Sequence, residues 1–225
     1  MRYLNKIVFL NSAHIPYSEI QLDGNVHFIG TQGVGKSTLL RAILFFYNAD
    51  TQRLGIPVEK KSYQDYYFPY ADSSIIYEVA REDGWFTVLS YKTMNRICYR
   101  FIASPYRPDL FIDEEGAPYP SDRIRSVLDK NGIKYSGAIS TYEEYRNILY
   151  GNSDNKRDYS CYSLMESGSY QNIIRTIQNV LLNSRLEADY IKQTIITSLN
   201  EADSVIDLSR YRSHLSGFEA QLNDI

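Results

Sequence analysis

The hydrophobic positions of this chain change their period along its length. From Tyr3 to Leu10 they form a short dense run that reads as a strand, followed by a loop, "NSAHIP". Tyr17–Leu22 and Asn25–Ile29 read as two further strands, joined by the turn chemistry of "DGN" at 23–25. From Ser37 the period becomes helical, with Leu39, Leu40, Ile43, Leu44 and Tyr47 along one face. "NADTQRLGIP" breaks that helix and leads into an aromatic stretch, "SYQDYYFPY". Residues 74–112 predict an antiparallel meander of "SIIYEVA", "WFTVLSY", "RICYRFI" and "LFI", with "REDG" as a tight turn.

Beyond the meander the pattern is mostly helical. "SDRIRSVLDKNG" has a Ser/Asp start and a Gly stop. "STYEEYRNILYG" has Thr141 and Glu144 at capping-box spacing and Gly151 as its stop. A polar loop at 152–158 follows. Gln171–Leu182 places Ile173, Ile174, Ile177 and Leu181 on one side, and Ser184 with Glu187 opens another helix. From Asp207 onward, Leu208, Tyr211, Leu215, Phe218, Leu222 and Ile225 follow the 3-4 spacing of a coiled-coil seam. The seam reaches Ile225 with no cap residue, so the expectation is a cut from a longer chain. The division expected is 1–170 for an α/β lobe and 171–225 for a helical neck and the start of a coiled coil.

Composition narrows the classes. At 225 residues the chain fits one large domain or two small ones. With 24 basic against 27 acidic residues its net charge is −3, which argues against a polyanion binder acting through bulk charge. No apolar run approaches the ~20 residues of a membrane span, and "KIVFL" is too short for a secretion signal. Two cysteines, Cys98 and Cys161, make no disulfide framework, which suits a cytoplasmic protein. His14, His27 and His214 lack metal-ligand spacing. Arg96, Arg100, Arg107, Arg123 and Arg125 read as a solvated face ahead of a DNA-phosphate face. The 21 tyrosines outnumber the 9 phenylalanines and 1 tryptophan together. For those of "SYQDYYFPY" the readings are an aromatic nucleic-acid platform and, the expected one, buried rings with wet hydroxyls; the overall excess stays partly unexplained.

The strongest chemical signal is "GTQGVGKST", Gly30, Thr31, Gln32, Gly33, Val34, Gly35, Lys36, Ser37 and Thr38. Gly30, Gly35, Lys36 and Ser37 satisfy G-x-x-x-x-G-K-[ST], with "VHFI" read as the strand entering and an amphipathic helix leaving. Glycines let backbone N–H groups close around phosphate oxygens. Lys36 is expected to reach the β/γ-phosphates of ATP as the catalytic cation, and the Ser37 hydroxyl to ligate Mg²⁺. Three further motifs compete. "LFIDEE" resembles a Walker B strand; Asp113 and Gly116 match the D-x-x-G of GTPases; Asn155 and Asp158 match their N-K-x-D. The polar "YGNSD" before Asn155 and the turn-like "DEEGAP" argue against both readings. Leu215–Glu219, "LSGFE", approaches an ABC signature but reads as coiled coil. A self-contained GTPase and a scaffold with a vestigial loop remain as alternatives.

Loop, meander and terminal helices in this order resemble the N-terminal half of an ABC/SMC-type ATPase head. The resemblance is to the MukB-type branch, including the JetC subunit of Wadjet anti-plasmid systems. It is carried by the Walker A, by "YYFPYADSSIIYEVAREDG" and by "NKRDYSCYSLMESGSYQNIIRTIQNVLL". It implies a P-loop NTPase fold whose sheet carries the phosphate loop, and an ATPase whose Walker B and signature lie outside this sequence. A Q-loop glutamine near Mg²⁺ is implied, for which Gln171 is best placed, and adenine contacts near Asn11–His14. It further implies a homodimer through heads and hinge, a kleisin-type subunit at the neck, double-stranded DNA as partner, and a nucleoid-associated cytoplasmic location. The expected role is DNA condensation, loop extrusion or plasmid defence.

Overall fold

A computed structural model of the protein describes residues 2–24, 26–57, 59–94, 96–151 and 159–164. These lie within the first of two compact units, Met1–Arg185. The predicted helices from Gln171 onward, the seam, Gln171 itself, Asn155, Asp158 and Leu215–Glu219 fall outside the described residues.

Strands β1 (Tyr3–Ser12) and β2 (Ile15–Gln21) form a hairpin. Strands β3 (Ser74–Arg81), β4 (Gly84–Thr93) and β5 (Arg96–Ile102) extend it to a five-stranded antiparallel sheet of order β2-β1-β3-β4-β5. Helices α1 (Lys36–Asn48), α2 (Tyr63–Tyr67), α3 (Ser121–Lys130) and α4 (Tyr142–Leu149) complete a mixed α/β fold.

Both faces of the sheet are covered, which is why its strands read as near-continuous apolar runs. Ile7, Phe9, Ile75, Tyr77, Val79, Phe86, Val88, Tyr99 and Phe101 share a core with α1, α2 and α4. Val8, Leu10, Ile76, Leu89, Tyr91 and Ile102 share the opposite core with Leu110, Phe111 and, from α3, Ile124 and Leu128. The period of two therefore selects which core a residue enters, not whether it is buried.

Three predicted elements differ. The first hairpin turns at Ala13–His14, where "NSAHIP" predicted a loop, because both residues adopt φ of 52° and 65°. Positive φ at both central positions is the two-residue turn whose twist matches the flanking strands. Val26–Ile29 is not a strand: no ladder or backbone hydrogen bond joins it to a described residue, and Ile29 is 92% exposed. "LFI" forms a 3₁₀ turn and one isolated bridge, Ile112 to Pro118. On α1 the buried set is Leu39, Ala42, Leu44, Phe45, Phe46 and Asn48, wider than the predicted stripe because packing reaches it from the sheet and from α2 and α4. The caps of α4 match expectation, with Thr141 Oγ1 accepting from Glu144 N at 3.3 Å and Gly151 at φ 69°.

The tyrosines are organised around α1. The hydroxyl of Tyr67 donates to the Thr38 carbonyl at 2.7 Å, and that of Tyr77 to Ala42 at 3.0 Å. Tyr145 donates to Phe46 at 2.6 Å, Tyr150 to Tyr47 at 2.7 Å, and Tyr99 to Ala49 at 3.2 Å. Phe46 and Tyr47 belong to the last turn, whose carbonyls have no partner within a helix. These five hydroxyls thus bond one helix and its cap, while in "SYQDYYFPY" Tyr66 is half-buried and Tyr70 is exposed, as expected from sequence.

Burial raises the ionisation of Tyr63, Tyr77 and Tyr145 well above the usual phenol value, and pushes Tyr47 up to about 12. A raised folded-state value gives stability that is complete below the unfolded value, ~10 for tyrosine, and is lost as pH rises from there through the folded value. Stability is therefore expected to fall above pH ~10, with tyrosinate absorbance and loss of circular dichroism in one step. Ionisation of these tyrosines well ahead of unfolding contradicts the burial. Tyr145→Phe is expected to lower stability by about 1 kcal/mol in urea titration, the net worth of one neutral hydrogen bond.

Candidate functional site

The loop before α1 is shaped by its glycines. Gly35 caps the helix at φ 93° and Gly33 lies at φ 90°, conformations that an L side chain resists. A Cβ on Gly30 would meet Val34 Cγ2 at 2.8 Å, so the loop also closes on itself there. No side chain caps α1, and its first internal bond runs from Leu39 N to Gly35 O at 2.9 Å. The N–H groups of Lys36, Ser37 and Thr38 therefore point out of the helix end without an intrahelical acceptor.

Lys36 Nζ folds back onto the carbonyls of Gly30 and Thr31 at 2.5 and 2.7 Å. The ammonium thus sits on the loop that carries it, held by two neutral acceptors.

A cleft of about 710 Å³ opens over this loop. Gln32, Gly33, Gly35, Lys36, Ser37 and Thr38 form one wall; Arg41, Ile56, Lys60, Lys61, Tyr66, Tyr67 and His14 form the rest. Four of these are cations and none is a carboxylate. The wall from α2 is fixed to α1 by the Tyr67 hydroxyl on Thr38. Helix α2 in turn is anchored by Ser62 Oγ, which accepts from Asp65 N at 3.2 Å, and by the Lys92–Asp65 ion pair at 3.0 Å. The volume suits a nucleotide-sized ligand, and the lining suits an anion.

The sequence-predicted loop is thereby brought together, with Gly30, Thr31 and Val34 at its rim. The adjoining wall was not legible: Arg41, Ile56, Lys60, Lys61, Tyr66 and Tyr67 belong to no motif shared with the loop. The Ser62-x-x-Asp65 spacing is the signal that would have found α2. His14, read as a loop or surface residue with only a weak family link to adenine, lines the cleft.

Other predicted groups lie elsewhere. Asp113 Oδ1 accepts from Glu115 N at 3.1 Å and Ala117 N at 2.7 Å, and Gly116 completes the turn at φ 84°. Asp113 caps its own turn and does not line the cleft. Of the arginines, Arg100 is 4% exposed and lies over the Tyr135 ring at 5.0 Å. Arg107 pairs with Asp109 at 2.5 Å, and Arg123 covers Tyr119 at 4.3 Å. They do not make one open basic face. Among the described residues no cluster of three His, Cys, Asp or Glu is placed to hold a metal, and no helix is long and apolar enough to cross a membrane.

Comparison with family models adds one match, over residues 14–217, to a family described as a protein of unknown function, DUF3584. The chain belongs to that family. The matched range contains every residue lining the cleft. No curated protein and no solved structure matches the chain.

The loop geometry carries a test. Gly35→Ala places a Cβ where the backbone is left-handed, at a cost of about 1–2 kcal/mol. It is expected to weaken binding of inorganic tripolyphosphate about tenfold by calorimetry; unchanged affinity would mean that this loop does not hold the anion.

Proposed function

We propose that the protein is a nucleotide-binding half of an SMC-like ATPase head, holding Mg·ATP at Gly30–Thr38. The observation that carries this reading is the uncapped N-terminus of α1 beneath a cleft whose described lining has four cations and no carboxylate. The donor set fits a nucleoside triphosphate. Backbone N–H groups of the loop and first turn cradle phosphate oxygens, and Lys36 leaves the Gly30 and Thr31 carbonyls for the charged β/γ oxygens. Mg²⁺ supplies charge neutralisation there, and the Ser37 hydroxyl is the ligand this chain offers it.

Among the described residues no carboxylate lines the cleft, so none of them is suited to hold the metal's far side or to orient a water. The proposal therefore places those groups outside the described residues, as the family resemblance implies. ATP-dependent pairing of two heads, a kleisin-type subunit, double-stranded DNA and a cytoplasmic, nucleoid-associated location belong to the same proposal. So do the uses considered for such a machine, in condensation, loop extrusion or plasmid exclusion. The P-loop NTPase fold is part of it too: a strand entering the loop at Val26–Ile29 is supported here by sequence pattern alone.

Lys36→Ala is expected to weaken ATP binding by one to two orders of magnitude, the range of a charge-assisted hydrogen bond. The unaltered chain by itself is expected to bind ATP with negligible turnover. Equilibrium competition decides against the alternative: a GTP preference above about tenfold would sink the ATPase reading in favour of Asp113, Gly116, Asn155 and Asp158. Lys36→Ala without effect on nucleotide binding would leave the loop vestigial.

A further inference from the structure

Besides the Gly30–Thr38 loop, the cleft is lined by two aromatic side chains of α2, Tyr66 and Tyr67. We infer that Tyr66 is the platform on which the nucleobase stacks, so that the cleft ranks nucleotides by stacking rather than by a hydrogen-bond code. The inference rests on the nucleotide reading above and adds which residue takes the base.

Tyr66 differs from its neighbours in α2. Tyr63 is stacked between Phe45 at 4.4 Å and Tyr67 at 4.1 Å and is 2% exposed. Tyr67 is 1% exposed, with its hydroxyl on Thr38. Tyr66 is half-buried and lines the cleft. Its two ring neighbours stand nearly perpendicular to it, Tyr67 at 79° and His14 at 75°, so no ring is stacked parallel on it. Its hydroxyl makes no hydrogen bond to a described residue.

The surroundings fix that ring in place. His14 meets it at 5.5 Å from a turn in which Asn11, Ala13 and His14 all have positive φ. Left-handed non-glycine residues persist only where neighbours over-determine them. Here Asn11 Nδ2 donates to Asp72 Oδ2 at 2.7 Å, and Ser73 Oγ donates to the Asn11 carbonyl at 2.6 Å. Through Tyr67 and Thr38 the same helix is tied to the first turn of the phosphate site. A base on Tyr66 and phosphates on the loop are thus addressed by one rigid frame.

Among the described residues no lining carboxylate is present to read the N1–H and N2–H₂ edge of guanine. Stacking alone tolerates any base and grows with ring area. Affinity is expected to run ATP and GTP alike, both above CTP and UTP.

The test compares Mg·ATP with Mg·tripolyphosphate, which lacks base and sugar, by calorimetry on the whole chain. Tyr66→Ala is expected to lose about tenfold on ATP and nothing on tripolyphosphate, and Tyr66→Phe to keep both. The purine advantage over CTP and UTP should vanish in Tyr66→Ala. If that variant fails to fold, Tyr66→Leu keeps bulk without a π face and is held to the same result. Equal losses on both ligands, no loss on either, or a Tyr66→Phe as weak as Tyr66→Ala would each overturn the platform. Lys36→Ala is the separate control: if it spares both ligands, the nucleotide reading fails whatever Tyr66 does.

Discussion

Helix α1 is held by phenol hydroxyls, and the rest of the structure is arranged around that fact. Five tyrosines, from α2, β3, β5, α4 and the residue after α4, donate to its carbonyls. Carbonyls of Thr38, Ala42 and Phe46 recur every four residues and so mark one stripe of the helix. Three other acceptances or caps close its C-terminal end: Tyr150 on Tyr47, Tyr99 on Ala49, and Ala49 N on Phe45 at 2.7 Å. A helix has donors unsatisfied at one end and acceptors at the other. This fold satisfies the acceptors with side chains from all around the core and leaves the donors facing a cleft. The orientation of the helix dipole, positive toward the cleft, then follows from packing.

That asymmetry explains why a chain of net charge −3 presents so cationic a site. The four cleft cations are held by short-range geometry, while acidic residues are placed elsewhere, in turns such as that of Asp113 and in surface pairs such as Arg107–Asp109. Bulk charge said little about the cleft, because screening confines the influence of exposed charges to about 8–10 Å.

Much of this was legible in sequence. The meander was readable because β-branched and aromatic runs alternate with turn residues, and α4 because Thr141 and Gly151 obey capping chemistry that acts within a few residues. The glycine turn that opens α1 was readable for the same local reason. What failed is what depends on distant partners. The Ala13–His14 turn lacks the Asn-Gly or Asp-Gly chemistry of such turns, and its holds are distant in sequence: Asp72 and Ser73 on Asn11, and the Tyr66 ring on His14. "VHFI" has strand composition, but composition does not supply a neighbouring strand. The tyrosine excess could not be read, since the acceptors are backbone carbonyls, identical at every position. Tyr66 could not be set apart from Tyr63 and Tyr67 until their rings were placed.

The way the sheet ends bears on its neighbours. Residues 134–139 cover the β5 edge through bridges from Tyr135 to Ile102 and Ile139 to Tyr99, and β2 carries Pro16 and Glu19 along the other. Both are devices that discourage edge-to-edge pairing. Val26–Ile29, by contrast, is joined by no ladder to a described residue, with Ile29 92% exposed and Gly30 next in the chain. A contact made on Ile29 would therefore press on the stem of the Gly30–Thr38 loop rather than on the sheet.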